Sequence, residues 1–204
     1  MLVKDRIFNL GFMFDLNQHH FPYVKQFTAD KNSFLLDFLA KNKYDMVLDF
    51  GCATGLTSWM VSDDKYIGVD VNESYLRRAH RKYPDKFFFF MKNILPLGRY
   101  PFKWDVFDII ICSFVLHHIP DKILKATKLW FHKILSKGGK ILVLEAAPKE
   151  EQPHRAVRII MANDIGDNHK DVWGWRDFFS DIFYVKNRRV KFGEYHVNAL
   201  ELKR

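Results

Sequence analysis

Cysteine and long apolar stretches are what this chain has least of. Its two cysteines, Cys52 and Cys112, are too few for a disulfide framework, and both fall at the ends of runs that read as core strands. A reducing compartment, the cytoplasm, is the natural expectation. No run approaches the roughly 18 apolar residues of a membrane span. The opening MLVKDRIFNLGFMFDLNQHH carries acidic and polar breaks foreign to a secretory signal. Basic residues form no block: the net charge of +8 is spread along the chain, which favours solvated faces over a nucleic-acid or anionic partner. His19-His20 have no Cys, Asp or Glu companions at metal spacing, so no metal site is expected. With 204 residues, 48% hydrophobic and 27% charged, the chain suits one globular domain with a sizeable core.

What is present centres on Met46 to Gly55, MVLDFGCATG. The apolar run Met46-Val47-Leu48 ends in Asp49, gives way to the small-residue loop 51–55, and a helical pattern resumes at Leu56. That is strand, loop, helix: a buried parallel strand reads as a short apolar run, and glycines let backbone approach a ligand closely. A second run, Tyr66-Ile67-Gly68-Val69, ends in Asp70, where a carboxylate can accept from ribose hydroxyls. The two together describe a nucleoside pocket. A dinucleotide fold wants G-x-G-x-x-G; here the third glycine would fall at Leu56, so the pyrophosphate reading fails.

The remaining D-F-G-C-A-T-G resembles the first motif of the class I S-adenosylmethionine-dependent methyltransferases, in which an acid and then alternating glycines wrap the amino-acid part of the cofactor. The resemblance implies cofactor contacts from Asp49, Gly51, Cys52, Ala53 and Gly55, with Asp70 and Val71 at the second strand. Ala53 departs from the pattern, standing where the family usually has its middle glycine. Asn93-Ile94 match the family's adenine-binding pair, and an amide offers both donor and acceptor to a base edge; the alternative is an Asn serving the turn before Pro96. The stretch FDIIICSFVLHHIPD, 107–121, is similar to the family's fourth strand and the segment after it, with Asp108, Ser113 and His117-His118 at matching positions. Ligands of open α/β sheets bind where strand order reverses. In this fold that point lies between strands one and four, which brings Cys52, Cys112 and Ser113 near the cofactor. LSKGGKILV, 135–143, is similar to the family's turn into strand five, where the glycines serve geometry.

The implied fold is α/β: a three-layer Rossmann-like arrangement around a seven-stranded, mostly parallel sheet with an antiparallel last strand, in a single domain, 1–204. Residues 1–29, with Phe8, Phe12, Phe14, Phe21, Tyr23 and Phe27, form a lid or cap, an extra helix on the sheet edge, or a dimer contact. Residues 30–204 form the core, with an insertion at 146–171. Helices are expected at 30–43 (N-cap Asp30 or Asn32), 56–61, 73–81 (N-cap Asn72), 122–135, 152–165 and 172–179. Ile123, Leu124, Leu129, Ile134 and Leu135 turn inward on the fourth of these. Strands are expected at 46–48, 65–70, 86–92, 107–114, 141–144, 183–192 and 195–202, the last two joined by a Gly193-Glu194 hairpin.

Methyl transfer from a sulfonium releases a neutral leaving group, so positioning accounts for much of the rate, and a base matters mainly for a hydroxyl acceptor. His117 or His118 is the candidate base; each also suits packing, orienting adenine or capping the next helix. His154 and Tyr23 are weaker candidates. The chain lacks the Asn/Asp-Pro-Pro-aromatic sequence of amino-methylating nucleic-acid enzymes, the cysteine nucleophile of cytosine-C5 enzymes and the paired glutamates of protein-arginine enzymes. A small aromatic or lipid-like acceptor, methylated at O, N or C, is left in front, as in the quinone, lipid and secondary-metabolite branch. Two alternatives stand: an RNA methyltransferase using Lys186, Arg188, Arg189 and Lys191 for phosphate contacts, and a non-catalytic binding or regulatory protein that keeps the fold, to which Ala53 points.

Overall fold

The computed structural model describes residues 22–91, 102, 105–162, 164, 166 and 168–204. The N-terminal aromatics up to Phe21, Asn93, Ile94 and most of the loop 95–104 lie outside the described residues.

A strand covered on both faces reads as a mostly apolar run, and β1 (Val47–Phe50) is buried at every position, its one acid, Asp49, included. It pairs in parallel with β2 (Tyr66–Asp70) on one side and β4 (Phe107–Ser113) on the other. Beyond them lie β3 (Phe87–Phe90) and β5 (Leu135–Ala146), also parallel. The hairpin β6 (Tyr184–Phe192) and β7 (Tyr195–Lys203) closes the sheet, β7 running antiparallel to both β5 and β6. The seven strands take the order β3-β2-β1-β4-β5-β7-β6, so the reversal falls between β1 and β4.

Parallel neighbours need crossovers. Between β2 and β3 runs α2 (Glu73–Lys82), whose N-cap Asn72 accepts from the amides of Ser74 and Tyr75. Between β4 and β5 runs α3 (Asp121–Ile134). Strand side chains alternate between two cores. One face carries Leu48, Phe50, Ile110, Cys112, Ile141, Val143, Leu200 and Leu202 beneath Trp130 and Phe131 of α3 and Trp175 and Phe179 of α5 (Val172–Phe179). The other carries Val47, Ile109, Ile111, Leu142, Leu144, Val197 and Ala199 beneath Phe27, Leu35, Phe38 and Leu39 of α1 (Pro22–Ala40). No helix among the described residues is long and apolar enough to cross a membrane.

Several elements differ from the sequence expectations. Helix α1 starts at Pro22, so the expected boundary at 29/30 falls inside it and neither Asp30 nor Asn32 is a cap. Asp30 instead accepts from the Gly193 amide at 2.7 Å, tying α1 to the β6–β7 hairpin. Residues 56–61 contain only a 3-10 turn, Ser58–Met60. Leu129 is exposed, because the inward stripe of α3 runs through Leu124, Thr127, Lys128, Phe131 and Ile134 at helical spacing. Strand β5 begins at Leu135, which pairs with Phe107 before a register shift. In the insertion α4 (Arg155–Ala162) is shorter than expected. Gln152 is buried instead, its side chain donating to the Ala147 and His196 carbonyls and accepting from the His196 amide. The expected strand 86–92 contracts to four residues at the sheet edge, with Phe87 and Phe90 exposed.

Candidate cofactor site and adjoining histidine cluster

The chain leaves β1 through a loop whose backbone runs left-handed at Gly51 (φ 78°), Ala53 (φ 47°) and Gly55 (φ 76°). At Gly51 a side chain has no room: a Cβ there would lie 2.3 Å from Cγ2 of Val115, which comes from the segment after β4. Ala53 takes the conformation a glycine would take, so the family's middle position is kept in shape although not in residue type. The loop is fastened to β2. The amides of Gly51 and Cys52 donate to the Val69 carbonyl at 2.8 and 3.0 Å, and the Ala53 amide donates to Asp70 Oδ2 at 2.9 Å. Asp70 Oδ1 accepts from the Asn72 amide at 2.8 Å. Burial raises the Asp70 pKa, and the amides of Asn72, Ala53 and Val71 hold it back. Val71, next along, is exposed.

Asp49 is engaged by other side chains. It is buried, accepts from Tyr66 Oη at 2.7 Å and from Thr57 Oγ1, and lies near the buried Lys31 of α1. Burial raises its pKa; Thr57, Tyr66 and Lys31 oppose the rise. Through Thr57 and Tyr66 it holds the chain after the loop. Cys52 and Cys112 are both free and buried. Burial first, then neighbouring carboxylates, pushes both thiols well up, which leaves them unreactive. Cys112 belongs wholly to the α3-side core and offers a ligand only backbone.

Past β4 the backbone turns left-handed again at Phe114 (φ 55°), whose ring packs 5.2 Å from that of Phe27. Non-glycine residues rarely occupy this region and do so at sites the fold over-determines. Ser113 beside it keeps a buried Oγ with no hydrogen-bond partner among the described residues. A cradle of left-handed backbone, a half-buried carboxylate at the next strand tip, an exposed apolar side chain beside it and an orphan hydroxyl across the reversal point fit a nucleoside-bearing amino acid such as S-adenosylmethionine.

His117 and His118 come together, ring centroids 3.9 Å apart, in unequal surroundings. His117 is buried. Its Nδ1 bonds to Glu145 at the end of β5, and Glu145 Oε1 accepts from the amides of Val115 (3.1 Å) and Leu116 (2.7 Å). Its Nε2 lies 3.3 Å from Asp164 Oδ2. Burial alone would lower the His117 pKa, but the Glu145 and Asp164 carboxylates push it up to about 10. Burial would raise Asp164, yet His117, His118 and the Gly166 amide hold it at about 2. His118 is 44% exposed, and burial of the rest of its ring, with His117 beside it, lowers its pKa. His169 stacks on His117 with centroids 4.5 Å apart. His154 is elsewhere, its Nδ1 accepting from the Ala156 amide at the start of α4; the Tyr23 side chain lies outside the description. Glu145, Asp164 and His169 were not foreseen. The one available sign was an acid closing the apolar run ILVLE, as Asp49 and Asp70 close theirs.

The basic residues of β6, Lys186, Arg188, Arg189 and Lys191, are exposed. Arg189 pairs with Glu151, Lys191 with Glu194 at 3.5 Å, and the Arg188 guanidinium lies 5.0 Å from the Phe34 ring centroid.

Comparison with known proteins agrees with this geometry. The family described as "methyltransferase domain" matches residues 47–139, from β1 to the turn inside β5. An uncharacterized methyltransferase of Geobacillus sp. is 26% identical over 120 residues, 58% of this chain and 55% of that one. The demethylmenaquinone methyltransferase of Lactiplantibacillus plantarum is 28% identical over 123 residues, 55% of this chain and 49% of that one. The chain thus spans about half the length of these relatives. The magnesium protoporphyrin IX methyltransferase of Synechocystis PCC 6803, solved with bound S-adenosylhomocysteine, shares the fold at TM-score 0.63 and 16% identity, over 86% of this chain and 83% of that one. Strand order and the left-handed loop over Asp70 are thus those of the class I S-adenosylmethionine-dependent methyltransferase fold, and residues 47–139 match the methyltransferase domain.

Proposed function

We propose that this chain transfers the methyl group of S-adenosylmethionine to a small apolar or aromatic acceptor, at O, N or C. The observation that carries the reading is the loop 51–55, bent through three left-handed residues so that its Ala53 amide meets Asp70. In this reading the loop's backbone takes the cofactor's amino-acid part. Asp70 spends one bond per oxygen on Ala53 and Asn72 and keeps lone pairs for ribose hydroxyls. Val71 would lie against the adenine ring, Asn93 and Ile94 would serve its edge, and Ser113 Oγ would meet the ligand across the reversal point. Bound there, the cofactor supplies a methyl carbon on a sulfonium.

The chain's task is then to hold the acceptor in line. The cofactor would supply its methyl group and leave as a neutral thioether, so the chain need stabilise no charge on the leaving group. Where the acceptor carries a proton, we assign its removal to His118, whose side chain is exposed while His117 is buried and bonded to Glu145. The acceptor class draws support from the likeness to a demethylmenaquinone methyltransferase. The two free cysteines suit the cytoplasm.

Calorimetric titration with S-adenosylmethionine and S-adenosylhomocysteine tests the cofactor site. Micromolar binding is expected, weakened about 10- to 100-fold in Asp70→Ala, the loss of hydrogen bonds to a charged acceptor worth about 1.5–3 kcal/mol. No binding by the unaltered chain sinks the reading. Transfer of labelled methyl into RNA, with none into an organic-soluble metabolite extract, overturns the acceptor class.

A further inference from the structure

Beyond the C-terminal ends of β4 and β5 lies a cluster that methyl transfer does not require. His117 Nε2, Asp164 and His169 offer ligand atoms all within 4.8 Å of one another. His117 Nε2 is buried with no hydrogen-bond partner; its 3.3 Å approach to Asp164 Oδ2 lacks hydrogen-bond geometry. His169 Nε2 lies 4.0 Å from the same oxygen. We propose that these three side chains bind a divalent first-row transition cation, zinc foremost, leaving a coordination position open.

The ligand chemistry fits that class. Two imidazoles and one carboxylate are the donor set of open zinc sites, whereas calcium and magnesium ask for oxygen throughout. Donor atoms about 2.0–2.2 Å from a tetrahedral ion stand roughly 3.4 Å apart, so the present triangle needs only side-chain closure. The surroundings are those of a ligating histidine. The Nδ1 proton of His117 goes to Glu145, which orients the ring and turns the Nε2 lone pair toward Asp164 and His169, the carboxylate–histidine–metal arrangement. Glu145 is itself fixed by the Val115 and Leu116 amides.

The two sides of the site are fastened together. The Asn168 amide donates to the His117 carbonyl at 3.1 Å, and its side chain donates to the Ile119 carbonyl at 2.5 Å. The Gly166 amide holds Asp164 Oδ1 at 3.2 Å. Gly166 passes so close that a Cβ there would lie 2.3 Å from His117 Cδ2. Charge also balances: a divalent ion offsets the carboxylates of Glu145 and Asp164 with neutral imidazoles. The Asp164 side chain is 29% exposed, which gives the ion its way in. His118, 3.8 Å from Asp164 Oδ1, stands outside the triad.

The test uses the full chain, stripped with a chelator and titrated calorimetrically with zinc, and with cobalt followed by visible absorption. Mildly alkaline conditions suit it, because a ligating nitrogen must be unprotonated. One zinc per chain at micromolar or tighter affinity is expected, as are intense cobalt d–d bands of a four- or five-coordinate ion without thiolate charge transfer. Glu145→Gln weakens zinc about 10- to 100-fold, and His169→Gln or Asp164→Asn weakens it at least as much, with circular dichroism confirming the fold. Absence of stoichiometric zinc, a thiolate band in the cobalt spectrum, or unchanged affinity in folded His169→Gln and Asp164→Asn overturns the proposal. None of these readouts involves S-adenosylmethionine, so the cofactor site stands or falls separately.

Discussion

Ala53→Gly isolates the one departure from the motif. Ala53 sits at φ 47°, where an L residue costs roughly 1–2 kcal/mol. Glycine removes that cost but gives back about 0.4–1 kcal/mol through the extra freedom of the unfolded chain. The hydrogen bond from the residue-53 amide to Asp70 is backbone and survives the change. The balance is a gain between about zero and about 1.6 kcal/mol, or at most roughly 3–6 °C in Tm for a chain of this size. The strain is present in free and bound protein alike, so it cancels from cofactor affinity. Differential scanning fluorimetry should therefore show a small rise in Tm, and calorimetry a change in S-adenosylmethionine affinity below about threefold, ~0.6 kcal/mol. A fall in Tm refutes the conformational argument. A tightening of tenfold or more refutes the view that the alanine leaves the cradle open, because only a methyl group intruding on the ligand would produce it.

Gly51→Ala should behave in the opposite way. The left-handed φ of 78° and the 2.3 Å approach to Val115 add strain to overpacking, for a loss of about 2–4 kcal/mol that thermal denaturation reads directly. Glu145→Ala strands the Val115 and Leu116 amides and His117 in a buried site and should cost about 3–5 kcal/mol; Glu145→Gln, which keeps an acceptor there, should cost clearly less in the same urea titration. Asp108 accepts from the amides of Asp45 (2.8 Å) and Met46 (3.1 Å) and from Ser136 Oγ (2.7 Å). Burial opposes its ionisation, but these donors and Lys65 outweigh it and lower the pKa. Its stabilisation is therefore complete above the unfolded carboxylate value of about 3.9 and is lost as pH falls through the lower folded value. Asp108→Asn should flatten the acid limb of stability against pH, and an unchanged limb would show that the carboxylate does not hold the β1–β4 junction.

The framework was legible because it rests on local pattern. Met46-Val47-Leu48, the run 107–113 and the Gly193-Glu194 hairpin each announce a strand or turn within a few residues, and Asn72 announces its helix. The start of helix α1 is hard to read because the residue before Pro22 is Phe21, not a capping type, whereas Asp30 and Asn32 inside the helix are. Its inward face is interrupted by Lys31, a residue type seldom buried, which the fold buries near Asp49. The histidine cluster was illegible for a different reason. Asp164 and His169 meet His117 only through loops that follow two separate strands, and nothing in the periodicity of either segment encodes that meeting.

One sequence sign carried two meanings. In β1, β2 and β5 an apolar run meets an acid near its end, Asp49, Asp70 and Glu145, and in sequence each reads equally well as a ligand contact. Burial separates them. Asp49 and Glu145 are 2% and 0% exposed, and their oxygens are taken by Thr57 and Tyr66 on one side and by Val115, Leu116 and His117 on the other. A buried carboxylate must be paired in this way or be costly, so these two fasten the chain after β1 and the segment after β4, which between them frame the reversal point. Asp70 alone is half-exposed and bonded only to backbone amides. A ligand hydroxyl can therefore reach Asp70 without displacing a side chain, whereas reaching Asp49 or Glu145 would release the loops that form the cleft. On that ground a substitution at Asp70 should act on cofactor affinity with little change in Tm, and substitutions at Asp49 or Glu145 should act on Tm first.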